Sequence, residues 1–246
     1  MKIKKLIIYT FFLLSVTSYS QNKIFNGEVQ YEASMKVNEA KLDSISKKIK
    51  GSEGLKKRMI TSMKNQGKVK FKLLFNDIES LFKEEEGLKI VENQINFTKI
   101  MMGSGMYHTN KYSKKISIQK EAYGQLFIVD VPMLQWELTQ ESKKIDNYTC
   151  YKAITNKQVE NKRGKFIKKI TAWYAPKLPI NFGPKDYFGL PGLILELQEG
   201  SLLIKATKIN LATNNKNDIK KHPKGKKISL KDFNELSKKM YENKRN

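Results

Sequence analysis

The stretch Leu193-Ile194-Leu195-Glu196-Leu197-Gln198-Glu199-Gly200-Ser201-Leu202-Leu203-Ile204 decides the fold class. Leu193, Leu195 and Leu197 fall on alternate positions, and a second apolar run opens at Leu202. Alternation with period two places every second side chain on one face of an extended chain, which is the pattern of a half-buried strand. Leu193 to Gln198 and Leu202 to Ile209 are therefore predicted strands, with Glu199-Gly200 as the two-residue turn of a hairpin. A connection that short joins only antiparallel strands.

The same pattern recurs on both sides of this hairpin. Val29, Tyr31, Ala33, Met35 and Val37 alternate with polar residues from Gly27 onward, as do Val69, Phe71, Leu73 and Phe75 with Lys68, Lys70 and Lys72. Ile116 and Ile118, Leu126 to Val131, Trp136 to Gln140, Tyr148 to Thr155 and Phe166 to Tyr174 supply further strands. No strand is followed by a periodic helix of crossover length, so parallel βαβ topology is not expected. Leu42, Ile45 and Ile49, then Leu55, Met59 and Met63, recur at helical spacing around Gly51-Ser52-Glu53-Gly54 and predict one interrupted or two short amphipathic helices. Their lysine-rich face suits either a membrane surface or the solvent side of a helix laid on a sheet. Leu230, Phe233, Leu236 and Met240 predict a C-terminal helix over Leu230 to Tyr241 with Ser229 as its N-cap. The expected fold class is α+β: a curved, mostly antiparallel β-sheet with amphipathic helices packed on one face.

The N-terminus reads as a secretory leader. Lys2, Lys4 and Lys5 precede the apolar run Leu6 to Leu14, followed by small and polar residues from Ser15 to Ser20. The run is shorter than the roughly 20 residues that span a bilayer, and no second long apolar stretch follows. The expectation is an exported protein, periplasmic or secreted, cleaved near Ser20, with residues 21–246 forming one domain and no transmembrane segment. The formal charge of +23 drops by three with the leader lysines. Such a charge attracts polyanions, but the lysines are spread along the chain, so no specific nucleic-acid site is expected. The densest basic run is Lys220 to Lys227, read as an exposed loop.

Between Trp136 and Leu195 the chain carries a connected set of motifs: Trp136, Lys144-Ile145, Asn147-Tyr148, Cys150, Lys152-Ala153, Ala172-Trp173-Tyr174, Pro179-Ile180, Gly183-Pro184, Tyr187 and the hexapeptide Gly189-Leu190-Pro191-Gly192-Leu193-Ile194. In this order and spacing it resembles the GLPGLI family, which is named after that hexapeptide. The resemblance implies an exported envelope protein of Gram-negative bacteria with no assigned catalytic residues or cofactor. It also implies kinship with the bowl-shaped N-terminal domain of a secreted peptide:N-glycanase, without that enzyme's catalytic part.

Read physically, Pro191 and Gly192 are the central residues of a type II turn, with Gly192 at positive φ, feeding the strand from Leu193. Trp173, Tyr174, Asp186, Tyr187 and Phe188 are the candidate binding residues, because aromatic rings beside a glycine-rich loop suit a carbohydrate, peptide or lipid. Cys150, the sole cysteine, is expected to be a buried, inert thiol, since His108 and His222 are remote in sequence. Glu84-Glu85-Glu86 reads as a solvated turn, and Met101-Met102-Gly103-Ser104-Gly105-Met106 as a hairpin tip more readily than as a soft-metal site. No metal, cofactor or catalytic residue is expected. The leading functional reading is a non-enzymatic binding module whose concavity takes a hydrophobic ligand, a glycan or an envelope protein. An assembly or transport accessory acting by protein contact, and a hydrolase with a carboxylate site near Asp186, are the alternatives.

Overall fold

The computed structural model describes residues 26–64, 67–85, 95–161, 164–212, 219 and 225–243. The leader, most of the basic run at Lys220 to Lys227, and Glu86 lie outside them. Twelve strands form one sheet: β1 (Asn26–Met35), β2 (Val69–Phe75), β3 (Glu79–Glu84), β4 (Met106–Asn110), β5 (Lys115–Ala122), β6 (Gln125–Val131), β7 (Glu137–Ile145), β8 (Tyr148–Asn161), β9 (Gly164–Ala175), β10 (Leu193–Glu199), β11 (Leu202–Ala212) and β12 (Lys226–Ser229). Their spatial order is β12-β6-β5-β4-β3-β2-β1-β11-β10-β9-β8-β7. Neighbours are antiparallel except β12, which runs parallel to β6, so the sheet is mixed. The helices are α1 (Glu39–Ser46), α2 (Glu53–Lys64), α3 (Phe97–Met102) and α4 (Leu230–Asn243).

The predicted alternation sets the faces. Val29, Tyr31 and Ala33 of β1 are fully buried. The cross-strand register carries their side of the sheet through Leu73, Phe82, Tyr107, Ile118 and Val129 in one direction, and through Ile204, Leu197, Ala172 and Ala153 in the other. This inner face holds the core, where Phe71 stacks on Phe82 at 5.2 Å and Tyr31 and Tyr107 meet Phe82 edge-on. The sheet curls without closing. Helix α4 touches both β6 and β8, near opposite ends of the strand order.

Helix α4 is capped by Ser229, whose Oγ accepts from the Asp232 amide at 3.1 Å, and it sets Phe233 edge-on against Phe127. Helix α3 is capped by Asn96, whose side chain accepts from the Lys99 amide, and sends Met102 into the core. The methionine run is therefore the end of a helix and a turn leading into β4, where a hairpin tip was expected. The first helical pair behaves differently from the expected sheet cover: Leu42 of α1 is buried, but α2 buries none of its residues. Glu84 ends β3 and pairs with Lys99 instead of lying in a turn. The β10–β11 turn is Gly200-Ser201, one residue later than predicted, because Glu199 still pairs with Leu202 and Gly200 takes φ +63°.

Candidate functional site

The segment between β9 and β10, residues 176–192, does not loop out into solvent. It folds back over the inner face, burying Leu178, Ile180, Phe182, Tyr187, Phe188 and Leu190 in the same core as Val29 and Tyr31. Backbone bonds hold it: the Leu193 amide donates to Leu178 O, Gly189 to Asn181 O and Ile194 to Phe182 O. Side chains from distant strands add to these. The Trp136 indole donates to Phe188 O at 2.9 Å, and the Tyr31 hydroxyl donates to Ile194 O at 2.7 Å.

The hexapeptide owes its glycines to two different causes. Gly189 has φ +99°, whereas Gly192 lies outside the left-handed region, so the predicted type II turn with Gly192 at positive φ is not formed. Gly192 is required by close approach instead. A Cβ built there would sit 2.3 Å from Ala175 O and 2.6 Å from Ala175 C, where the backbone of β9's last residue crosses it. Gly183 is similarly crowded, by Ile194 Cδ1 and Tyr187 O.

Inside this plug is a charged cluster. Glu199, the last residue of β10, points to the inner face and accepts from Lys185 Nζ at 2.9 Å, Lys168 Nζ at 3.1 Å and the Tyr187 hydroxyl at 3.1 Å. Asp186 accepts from Lys157 Nζ at 2.5 Å, and its other oxygen, Oδ1, is buried with no hydrogen-bond partner among the described residues. Lys157 and Lys168 face each other across β8 and β9, and Lys157 also lies over the Tyr187 ring at 5.1 Å. Lys185 holds φ +57°, an uncommon conformation for a side chain of that length, and is buried.

Burial by itself would raise the Glu199 carboxyl, but the charge and hydrogen bond of Lys185, with the charges of Lys157 and Lys168, outweigh it and hold the group down at about 2. The phenols of Tyr187 and Tyr107 are pushed above the ordinary tyrosine value, first by burial and then by the charge of Asp186. The cluster thus joins β8, β9, β10 and the plug. Three lysines face two carboxylates, and Glu199 is fixed in its ionised form. This arrangement anchors chain; Glu199 is not poised to give up a proton near neutral pH.

The expected site residues are distributed accordingly. Asp186, Tyr187 and Phe188 come together in the plug but are buried there, and Tyr174 is buried at the end of β9. Trp173 lies on the opposite face of the sheet, half-buried, with Lys143 Nζ 4.3 Å above its ring and Glu196 bridging Lys143 and Lys205. Cys150 is fully buried, and burial lifts its thiol to about 11. Glu199, Lys157, Lys168, Lys185 and Tyr107 carried no functional signal in the sequence.

A family model described as a protein of unknown function (Porph_ging) matches residues 136–169 and 164–196, the span that carries the hexapeptide and the plug. No curated protein matches the chain. Among solved structures, PNGF-II in a C2 crystal form is similar with a TM-score of 0.51 and 16% identity, over 86% of this chain and 32% of that one. PNGF-II in a P21 form gives 0.49 and 16%, over 86% and 33%. The chain spans about a third of the length of PNGF-II. Through its central motifs the chain is related to a family of unknown function, and in fold it is similar to one part of a longer protein.

Proposed function

We propose that this chain is an exported, non-enzymatic accessory protein of the cell envelope that acts by contact through the outside of its curved sheet. One observation carries the reading: residues 176–192 fill the concavity, so the inner face expected to receive a ligand is occupied by the chain's own Phe182, Tyr187, Phe188 and Leu190. The fold appears in PNGF-II as a minor share of a longer chain, which agrees with a module that works beside other components. The leader-like N-terminus supports export, and the intact mass of the mature protein, with a terminus near Gln21, tests it.

A photo-crosslinking residue at exposed Ile167, introduced in the native host, should trap an envelope component, while the same residue at buried Leu190 should trap none. Crosslinks from Leu190 alone would refute surface contact and restore a ligand inside the bowl.

A second reading has a specific observation in its favour. Two buried carboxylates, Asp186 and Glu199, sit in one cluster, and Asp186 keeps an unpartnered oxygen. Hydrolysis of a glycopeptide or ester by the purified protein, abolished by Asp186→Asn at unchanged melting temperature, would establish this reading and sink the non-enzymatic one.

A further inference from the structure

The connections at one end of the sheet share a character that the core does not explain. The antiparallel register places α1 and α2, α3, the β5–β6 turn at Tyr123-Gly124, the β10–β11 turn and the distal ends of β8 and β9 on the same rim. The Lys36 amide donating to Ser201 O at 2.7 Å ties two of them together. Beyond Ile154 and Ile170, β8 and β9 continue as a two-stranded ribbon with no third strand beside it.

This rim exposes large apolar side chains. Leu55 is 41% exposed, Ile100 63%, Tyr123 44%, Phe166 38% and Ile167 71%. Residues 36–68 carry ten Lys or Arg against three Asp or Glu, and three of those lysines are paired: Lys56 with Glu53, Lys64 with Glu39 and Lys68 with Glu32. Helix α2 exposes Leu55, Lys57 and Arg58 and buries nothing, and on β9 Lys165, Ile167 and Lys169 share one face while exposed Phe166 projects from the other. Exposed apolar side chains interspersed with cations along one rim match the two terms that bind a protein to an anionic lipid surface: insertion of apolar groups at the headgroup boundary and attraction of lysines to negative headgroups.

We propose that this rim docks on an anionic bilayer, with α2 and residues 165–169 of β9 entering the interface. The inference rests on the reading that the protein works through its outer surface, and it names the component that surface meets. The charge complementarity favours lipid over a protein partner, because exposed cations here outnumber acids on two separate elements that share only their rim.

The test is co-sedimentation of the mature protein with vesicles of phosphatidylcholine containing about one third phosphatidylglycerol, against pure phosphatidylcholine. Binding should occur to the anionic vesicles only and weaken as salt rises and shortens the Debye length. Lys57→Gln with Arg58→Gln should reduce partitioning about twenty-five-fold, at roughly fivefold per charge. Ile167→Ser should reduce it about tenfold by removing an inserted apolar group. Tyr112→Ser, at the opposite rim, should change nothing. All four positions are exposed, and unchanged melting temperatures would show that the variants fold. Equal binding to neutral vesicles, no binding to either, or an equal loss with Tyr112→Ser would overturn the proposal. In the second case, a protein adduct at Ile167 would leave the contact-acting function standing without it.

Discussion

Gly192→Ala is the sharpest perturbation of the plug. The added methyl would lie 2.3 Å from Ala175 O, 2.6 Å from Ala175 C and 2.9 Å from Pro176 N. All three are backbone atoms, so no rotamer change relieves the clash. An ordinary carbon contact needs about 3.5 Å or more, and the neighbours must therefore retreat by roughly 1 Å. The atoms that would move are already committed: Ala175 O accepts from the Leu178 amide at 3.0 Å, and Ala175 is the register partner of Leu193. Overpacking of this kind costs about 3 kcal/mol, which in a chain of this size lowers the melting temperature by about 6–12 °C. Urea unfolding should show a lower midpoint at unchanged slope. Gly189→Ala makes the comparison. Its φ of +99° imposes strain of about 1–2 kcal/mol, but the nearest atom, Met133 Sδ, is 3.9 Å away. Gly192→Ala as stable as the parent, or less harmful than Gly189→Ala, would refute the close-approach account.

Three further outcomes follow from the buried titratable groups. Glu199 falls from the ordinary 4.5 to about 2 in the folded protein, so its contribution is fully present above 4.5 and is lost as pH drops through 2. Acid titration of stability should reveal a loss of about 3 kcal/mol over that window, and in Glu199→Gln the loss should vanish while neutral-pH stability falls, because Lys185 is left buried without its partner. Tyr31, Tyr107 and Tyr187 have phenols raised by burial, so their contribution holds below pH 10 and declines as pH rises above it; alkaline unfolding should coincide with tyrosinate absorbance, and a phenol titrating normally in the native state would contradict the packing. Cys150 should react with a thiol reagent only at the unfolding rate; labelling at the speed of a free cysteine would show that the strand opens locally.

The strands were legible wherever alternation was clean, as in β1 and β2, since a half-buried strand writes its register directly into polarity. β3 was missed because Leu81 and Phe82 are adjacent and both buried, which breaks the period-two signal. α3 was hidden by the methionine run, although Asn96 offered a cap. At the site, Asp186 and Tyr187 drew attention through their loop, but Glu199 was taken for a turn residue. Its partners lie 12, 14 and 31 residues away, and nothing local says that the loop folds inward to meet them. Gly192 was recognised as obligatory for the wrong reason: a local turn rule was applied where a crossing backbone is the constraint.

The strand order also has a kinetic meaning. β1 to β6 are each hydrogen-bonded to their sequence neighbours, as are β7 to β11, so each half of the sheet can zip by adjacent additions. The halves join where β1 meets β11, and the contact of Thr207 with Gln30 spans 177 residues. Long-range pairings carry the largest loop-closure entropy and form late. The β1–β11 seam is thus the step that turns two ribbons into one sheet, and Tyr31, bonded to Ile194 beside it, fastens the plug as the seam closes. Two fragments severed between β6 and β7 would each retain their own ladders, and the affinity with which they recombine would measure the seam together with the β12–β6 pairing and the packing of Phe233 on Phe127.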